Sequence, residues 1–198
     1  LQIGFLSEAF LFPSRILVAN CYWARVTILS VAKLFNWEKI SVGIQIKYET
    51  TTWPSDRWSN FGYEEIACSH CGIAFIDTTS MDLLQRLRTN IGSPVIVTSA
   101  YRCKEHPIEK TKIDRGQKPG SHTRGEAFDI KCSYDQAWNV LHHAFDLGFS
   151  GIGIKQTGDI EGRFVHIDTI SGVYHVKRPT VWTYGWKYIT GVHWNESL

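Results

Sequence analysis

The chain has 198 residues, of which 43% are apolar and 20% are charged, and its net charge is +2. This composition predicts a folded, core-forming protein and excludes a disordered chain. A net charge this small does not indicate the basic surface that is typical of a nucleic-acid-binding protein. No uncharged run reaches the roughly 18 residues that a membrane span needs.

The N-terminal part differs from the remainder of the chain. Residues 1–35 are rich in apolar side chains, and a docked helix pair, a degraded signal and a frame-derived extension all fit them. A boundary is predicted within residues 48–60, where Thr, Ser, Pro and Asp gather between apolar stretches. We therefore expect an extension of unknown role over residues 1–50 and one domain over residues 51–198.

Beyond this boundary, helical and strand patterns alternate. Apolar residues at helical spacing predict helices over residues 81–90, capped by Ser80, and over residues 134–147. Charges, prolines and glycines predict a long loop over residues 103–121. Strand patterns cover residues 93–101, 126–132, 151–155 and 163–169. The class predicted is α+β, with a small antiparallel sheet flanked by helices.

Two of these segments combine histidine with carboxylate side chains in apolar surroundings. PGSHTRGEAFDIKC contains His122 and Asp129, and a buried carboxylate needs a hydrogen-bond donor or a metal. Strand alternation in RFVHIDT puts His166 and Asp168 on one face. Together they offer two imidazoles and one carboxylate, plus a spare carboxylate. Such a ligand set leaves the fourth position of a zinc ion open, as catalytic sites do.

Four segments carry a resemblance to a known family. SAYR, SHTRGEAFD, FVHID and RPTVWTY occur in the order found in the zinc D-alanyl-D-alanine carboxypeptidase family, which the sequence resembles. This family includes VanY-type and related phage and bacterial murein peptidases, and Hedgehog signalling domains share its metal scaffold. NFGYEEIACSHCG is similar to the start of its smaller members. The resemblance covers residues 58–186 and implies a Hedgehog-like or D,D-peptidase-like fold.

The resemblance also implies roles for individual residues. Arg102 would pair with a substrate carboxylate or carbonyl, for which a planar bidentate donor is well suited. Ser121 would bond the substrate backbone, and Trp182 and Tyr184 would pack over the metal site. The zinc ligands implied are His122, Asp129 and His166.

The general base is the position at which the chain departs from the family. Several members carry Glu or Asp three residues before the last histidine, but Arg163 stands there. Asp168 is the base we favour, because it shares the ligand face of its strand, and Glu161 is the second choice. Asp168 has two other readings, as the acceptor that orients His166 or as a partner for Arg178.

The cysteines leave three interpretations open. Cys68-x-x-Cys71, with His70 between them, could begin a structural zinc site, which needs four ligands. No second pair follows, and Cys103 and Cys132 stand alone. A second zinc ion, a disulfide and buried free thiols are all compatible with this spacing.

The activity expected is that of a zinc metallopeptidase, a hydrolase in which metal-activated water attacks an amide. The substrate would be a peptidoglycan stem peptide, cleaved by a D,D-carboxypeptidase or a murein endopeptidase. We expect a monomer without nucleic-acid partners, acting in the cell envelope or periplasm, or encoded by a phage and acting on the cell wall. A non-catalytic wall-binding or morphogenetic module that keeps zinc for stability, and a metal-free structural domain, are the alternatives.

Overall fold

A computed structural model describes residues 43–171 and 177–185, and these ranges form an α+β domain. Its α-helices are α1 (Tyr63–Ile66), α2 (Thr78–Ile91), α3 (Pro107–Asp114) and α4 (Tyr134–Asp146). Its strands are β1 (Gln45–Tyr48), β2 (Ala74–Asp77), β3 (Ile96–Ser99), β4 (Ala127–Lys131), β5 (Gly151–Lys155), β6 (Phe164–Asp168) and β7 (Thr180–Thr183). Among the helices described, none is both long and apolar enough to cross a lipid bilayer.

The strands form two sheets. One has five strands in the order β3-β4-β6-β5-β7, and the other pairs β1 with β2. Every pairing is antiparallel except that of β5 with β7, which is parallel. The predicted α+β class with a small antiparallel sheet is confirmed. Strand β1 lies within the extension predicted over residues 1–50. Residues 1–42 of that extension lie outside the described ranges. The predicted division into an extension and a domain therefore stays a prediction.

Helices α2 and α4 supply the apolar side chains that cover the main sheet. Met81, Leu84 and Leu87 of α2 are fully buried at the spacing of one helix face. Val140 and Ala144 do the same for α4, and all five belong to one core cluster. This core fixes the positions of β4 and β6, the two central strands that carry the site described below.

Two local predictions were wrong. The first long helix begins at Thr78, and its cap is Asp77, whose side chain accepts from the backbone N–H of Ser80 at 2.8 Å. The predicted loop over residues 103–121 contains α3, which starts with Pro107 in its first turn. Its few apolar residues show no helical periodicity, and proline suits the first position of a helix as well as a loop.

The turn that precedes β4 is pressed against β2. Gly125 has φ +68°, and a Cβ atom built on it would lie 2.3 Å from the Phe75 carbonyl oxygen. Its own carbonyl accepts from the backbone N–H of Asp77 at 2.9 Å. Only glycine combines this left-handed backbone with this close approach.

Replacing Gly125 by alanine is therefore expected to lower the free energy of unfolding by about 2–4 kcal/mol, from the left-handed backbone and the overlap together. The control is Gly116→Ala, because Gly116 has φ +72° but nothing within 4 Å of the added Cβ. It isolates the backbone cost, about 1 kcal/mol. Urea unfolding followed by tryptophan fluorescence measures both, and equal losses would contradict the packing argument.

Candidate metal centre

Three buried side chains converge between β4, β6 and the turn before β4. Asp129 and His166 are direct cross-strand partners in the register of β4 and β6. His122 comes from the short 3-10 turn Ser121–Arg124, which ends at Gly125. The sheet register and this turn therefore bring together the three residues predicted to bind zinc.

The distances between the three donor atoms suit one metal ion. Oδ1 of Asp129 lies 3.2 Å from Nε2 of His122 and 2.8 Å from Nδ1 of His166. The two imidazole nitrogens are 3.3 Å apart. A tetrahedral zinc ion with bonds of about 2.0–2.1 Å separates its ligand atoms by roughly 3.3 Å. The triad therefore fits zinc if the distance between Oδ1 of Asp129 and Nδ1 of His166 increases slightly.

The outer nitrogen of each imidazole has its own partner. Nδ1 of His122 donates to the Ala100 carbonyl oxygen at 2.6 Å. Nε2 of His166 lies 3.2 Å from Oδ2 of Asp168, to which it donates. These contacts select the tautomers that leave Nε2 of His122 and Nδ1 of His166 free to bind a metal.

Asp168 is held from two sides. It is fully buried, and Arg178 forms a two-pronged ion pair with it through Nε at 2.9 Å and Nη2 at 2.5 Å. Burial raises the pKa of this carboxyl, but hydrogen bonds from His166 and Arg178 outweigh burial and lower the pKa to about 2. Asp168 is thus an ionised acceptor that fixes the ring of His166 from behind.

This pKa predicts how stability depends on pH. A carboxyl group whose pKa is depressed by folding stabilises the protein above its ordinary pKa and loses that effect as the pH falls through the folded value. Asp168 should contribute about 2 kcal/mol near neutral pH. We expect the stability difference between the wild-type chain and Asp168→Asn, measured by urea unfolding in the metal-free state, to shrink by this amount between about pH 5 and about pH 2. A difference that stays constant with pH would contradict the ion pair.

Arg102 is engaged by the ligand carboxylate. Its Nη2 donates to Oδ2 of Asp129 at 2.5 Å and its Nε donates to Oγ of Ser99 at 2.8 Å. Its Nη1 lies 3.7 Å from the buried carboxylate of Glu109. These contacts use the guanidinium to hold Asp129, while the predicted contact with substrate stays a prediction.

The two histidines differ in their readiness to lose a proton. Burial lowers the pKa of His122, which therefore stays neutral as a ligand must. Burial also opposes charge on His166, but hydrogen bonds to Asp129 and Asp168 raise its pKa. A proton on Nδ1 of His166 thus competes with the metal.

Aromatic side chains from β7 and its end cover one side of the centre. The ring of Trp182 lies 5.2 Å from that of His166, and Tyr184 packs 5.2 Å from Phe164. Gly153, the neighbour of His166 on β5, makes room for this tryptophan, because a Cβ there would lie 2.6 Å from the indole. The predicted packing over the site agrees with these contacts.

The remaining predicted residues lie at different distances from the chemistry. Oγ of Ser121 is 3.3 Å from Nε2 of His166, the ring nitrogen that faces away from the other two ligands. Glu161 pairs with Lys131 and its side chain is 78% exposed. The roles predicted for both stay predictions.

One residue near the centre was not found from the sequence. Glu109 is fully buried and accepts from Lys112 and from the backbone N–H of Gly120, each at 2.8 Å. It thereby ties α3 to the turn that carries His122. Its charge resembled those of the solvated residues around it, so no sequence signal distinguished it.

Two histidines, one from β6 and one from the turn before β4, surround a common point with an aspartate from β4, which is the ligand set of a mononuclear metal-dependent hydrolase. The family model Peptidase M15 matches residues 59–168, which is more than half of the chain. The chain therefore belongs to the Peptidase M15 family of zinc-dependent metallopeptidases. Comparisons with curated proteins and with solved structures returned no match.

Proposed function

We propose that this protein hydrolyses peptide bonds in peptidoglycan stem peptides, as a D,D-carboxypeptidase or a murein endopeptidase, with one zinc ion held by His122, Asp129 and His166. The observation that carries the proposal is the triangle of ligand atoms with sides of 2.8, 3.2 and 3.3 Å. Bound there, zinc would activate water and polarise the scissile carbonyl. The enzyme would act on the cell wall. It would be either a protein of the cell envelope or a protein encoded by a phage.

The surrounding residues support this chemistry by holding charges in place. Hydrogen bonds from His122 and His166 hold the pKa of Asp129 well below its usual range despite burial, and Arg102 donates to its other carboxylate oxygen. Burial raises the pKa of Tyr184, and its protonated phenol can donate a hydrogen bond to a substrate oxygen. A cavity of about 260 Å³ is lined by Arg102 and Ser99 but by none of the three ligand residues, so it has room for a part of the peptide away from the scissile bond.

Asp168 is proposed here as a positioning residue, because its carboxylate faces the outer nitrogen of His166 and is clamped by Arg178. We expect Asp168→Asn to weaken zinc binding by about 10–100-fold, with most of the turnover restored at saturating zinc. Zinc titration followed by peptide hydrolysis measures both effects. If the variant binds zinc normally and does not turn over, Asp168 is instead the general base.

The decisive test of the activity is digestion of purified murein followed by mass analysis of the fragments. Loss of a terminal alanine from the stem would identify a carboxypeptidase, and release of cross-linked or internal fragments an endopeptidase. The control is the same protein with zinc removed by a chelator and then restored. Stoichiometric zinc without cleavage of murein or of a D-Ala-D-Ala peptide would overturn the proposal and favour a wall-binding module.

A further inference from the structure

A second cluster of metal-binding side chains lies apart from the His122–Asp129–His166 triad. Cys68 and Cys71 follow helix α1, Cys103 follows Arg102, and the three sulfur atoms lie within 4.8 Å of one another. All three are free thiols. Zinc–thiolate bonds of about 2.3 Å separate sulfur atoms by roughly 3.8 Å in a tetrahedral site. The fold therefore brings Cys103 to the CxxC pair, a contact that the sequence alone did not predict.

The backbone of the CxxC loop is shaped to receive a charged sulfur. Three backbone N–H groups, those of His70, Cys71 and Cys103, donate to Sγ of Cys68. The loop is closed by hydrogen bonds of 2.8 Å from Cys68 N–H to Ile73 and from Gly72 N–H to Cys68. A neutral buried thiol is a weak acceptor that needs few donors, whereas a metal-bound thiolate is stabilised by several.

A fourth donor lies at the edge of the cluster. Nδ1 of His70 is 3.3 Å from Sγ of Cys103, and the imidazole is exposed at the surface. Rotation of this side chain needs no change in the core. Three thiolates and one imidazole form a closed ligand set typical of structural zinc sites.

We propose that Cys68, His70, Cys71 and Cys103 bind a second, structural zinc ion. This ion joins the loop after α1 to the turn that carries Arg102, the residue that donates to the ligand Asp129. The ligand Cys68 and the neighbouring Arg102 both line the 260 Å³ cavity. The second ion thereby fixes one wall of this cavity, and it takes no part in peptide hydrolysis.

Metal analysis of the full-length chain, purified without chelator under reducing conditions, tests this proposal. We expect two zinc ions per chain in the wild type and one in Cys71→Ser, whose side chain is exposed so that the substitution removes no core packing. Cys132→Ser is the matched control, because this buried thiol donates to Ile130 and lies outside the cluster. It should keep both ions.

A second measurement separates this site from the triad. His166→Ala should also keep one ion, and an organomercurial should release that remaining ion but not the one left in Cys71→Ser. Cobalt substitution of His166→Ala should give thiolate-to-metal charge-transfer absorption in the near ultraviolet. One zinc ion in the wild type that Cys71→Ser does not remove, or a disulfide between two of the three cysteines in the reduced preparation, would overturn the proposal. One zinc ion in the wild type that is lost in Cys71→Ser and kept in His166→Ala would support the cysteine site and count against the proposed hydrolase.

Discussion

Alanine in place of His122 is expected to remove one zinc ion per chain and to slow murein hydrolysis by about 10³-fold or more. The size follows from the several kcal/mol of transition-state stabilisation that a metal ion supplies. His122 is buried and gives Nε2 to a triangle whose other corners lie 3.2 and 3.3 Å away. With one corner missing, the remaining His166 and Asp129 cannot hold the ion at micromolar zinc.

His142→Ala is the matched control for this prediction. His142 lies on the exposed face of α4, where its ring is 60% accessible and pairs with Asp146. Both metal content and turnover should stay at wild-type values in this variant. Metal analysis and product release from a stem peptide measure the pair, and a His122→Ala protein that retains turnover would show that the hydrolytic centre lies elsewhere.

The largest effect on stability is expected from Arg178→Met. The substitution keeps an apolar side chain of similar length but leaves the carboxylate of Asp168 without its cation in a fully buried position. Breaking a buried pair in this way costs about 3–5 kcal/mol, because the remaining charge has lost its compensation. The orientation of His166 should loosen as well, which would appear as weaker zinc binding.

The chain contains a closely matched pair at the surface. Arg57 binds Asp82 through Nε at 2.9 Å and Nη2 at 2.6 Å, and its guanidinium lies 5.1 Å from the Trp58 ring. Arg178 has nearly the same geometry and lies 5.2 Å from Trp182. The side chains of Arg57 and Asp82 are 46% and 40% exposed, so Arg57→Met should cost no more than about 1 kcal/mol. Urea unfolding compares the two, and equal losses would contradict the importance of burial.

The ligands of the metal triad could be predicted because each carries a local signal and the resemblance to a zinc peptidase family joined the three. Alternation along FVHID fixes the face of His166, and a buried aspartate such as Asp129 needs a partner wherever the strand lies. Neither argument requires the register of β4 against β6. The register then places Asp129 opposite His166 and agrees with the prediction.

The sequence does not predict which nitrogen of an imidazole ring a neighbouring side chain contacts. Asp168 shares a strand face with His166, and this suggested a base beside the metal. The structure puts the carboxylate at Nε2, the nitrogen opposite the triad. Strand periodicity gives the face of a residue but not the rotation of an imidazole about its own bonds.

Long-range contacts were the other gap. Cys103 is separated by more than thirty residues from the CxxC pair, and only the packing of β3 beside the loop after α1 unites them. Arg102 binds Asp129 across the same kind of distance. No spacing rule predicts such contacts, because they depend on how strands pair.

The parallel pairing of β7 with β5 has a consequence for the order in which the protein matures. The ligands come from residues 122–166, but the clamp on Asp168 and the indole beside His166 come from Arg178 and Trp182. A nascent chain emerging from the ribosome therefore exposes every zinc ligand before it can lock them. The ring of His166 is therefore held on its outer side only after β7, the last strand of the described residues, has docked.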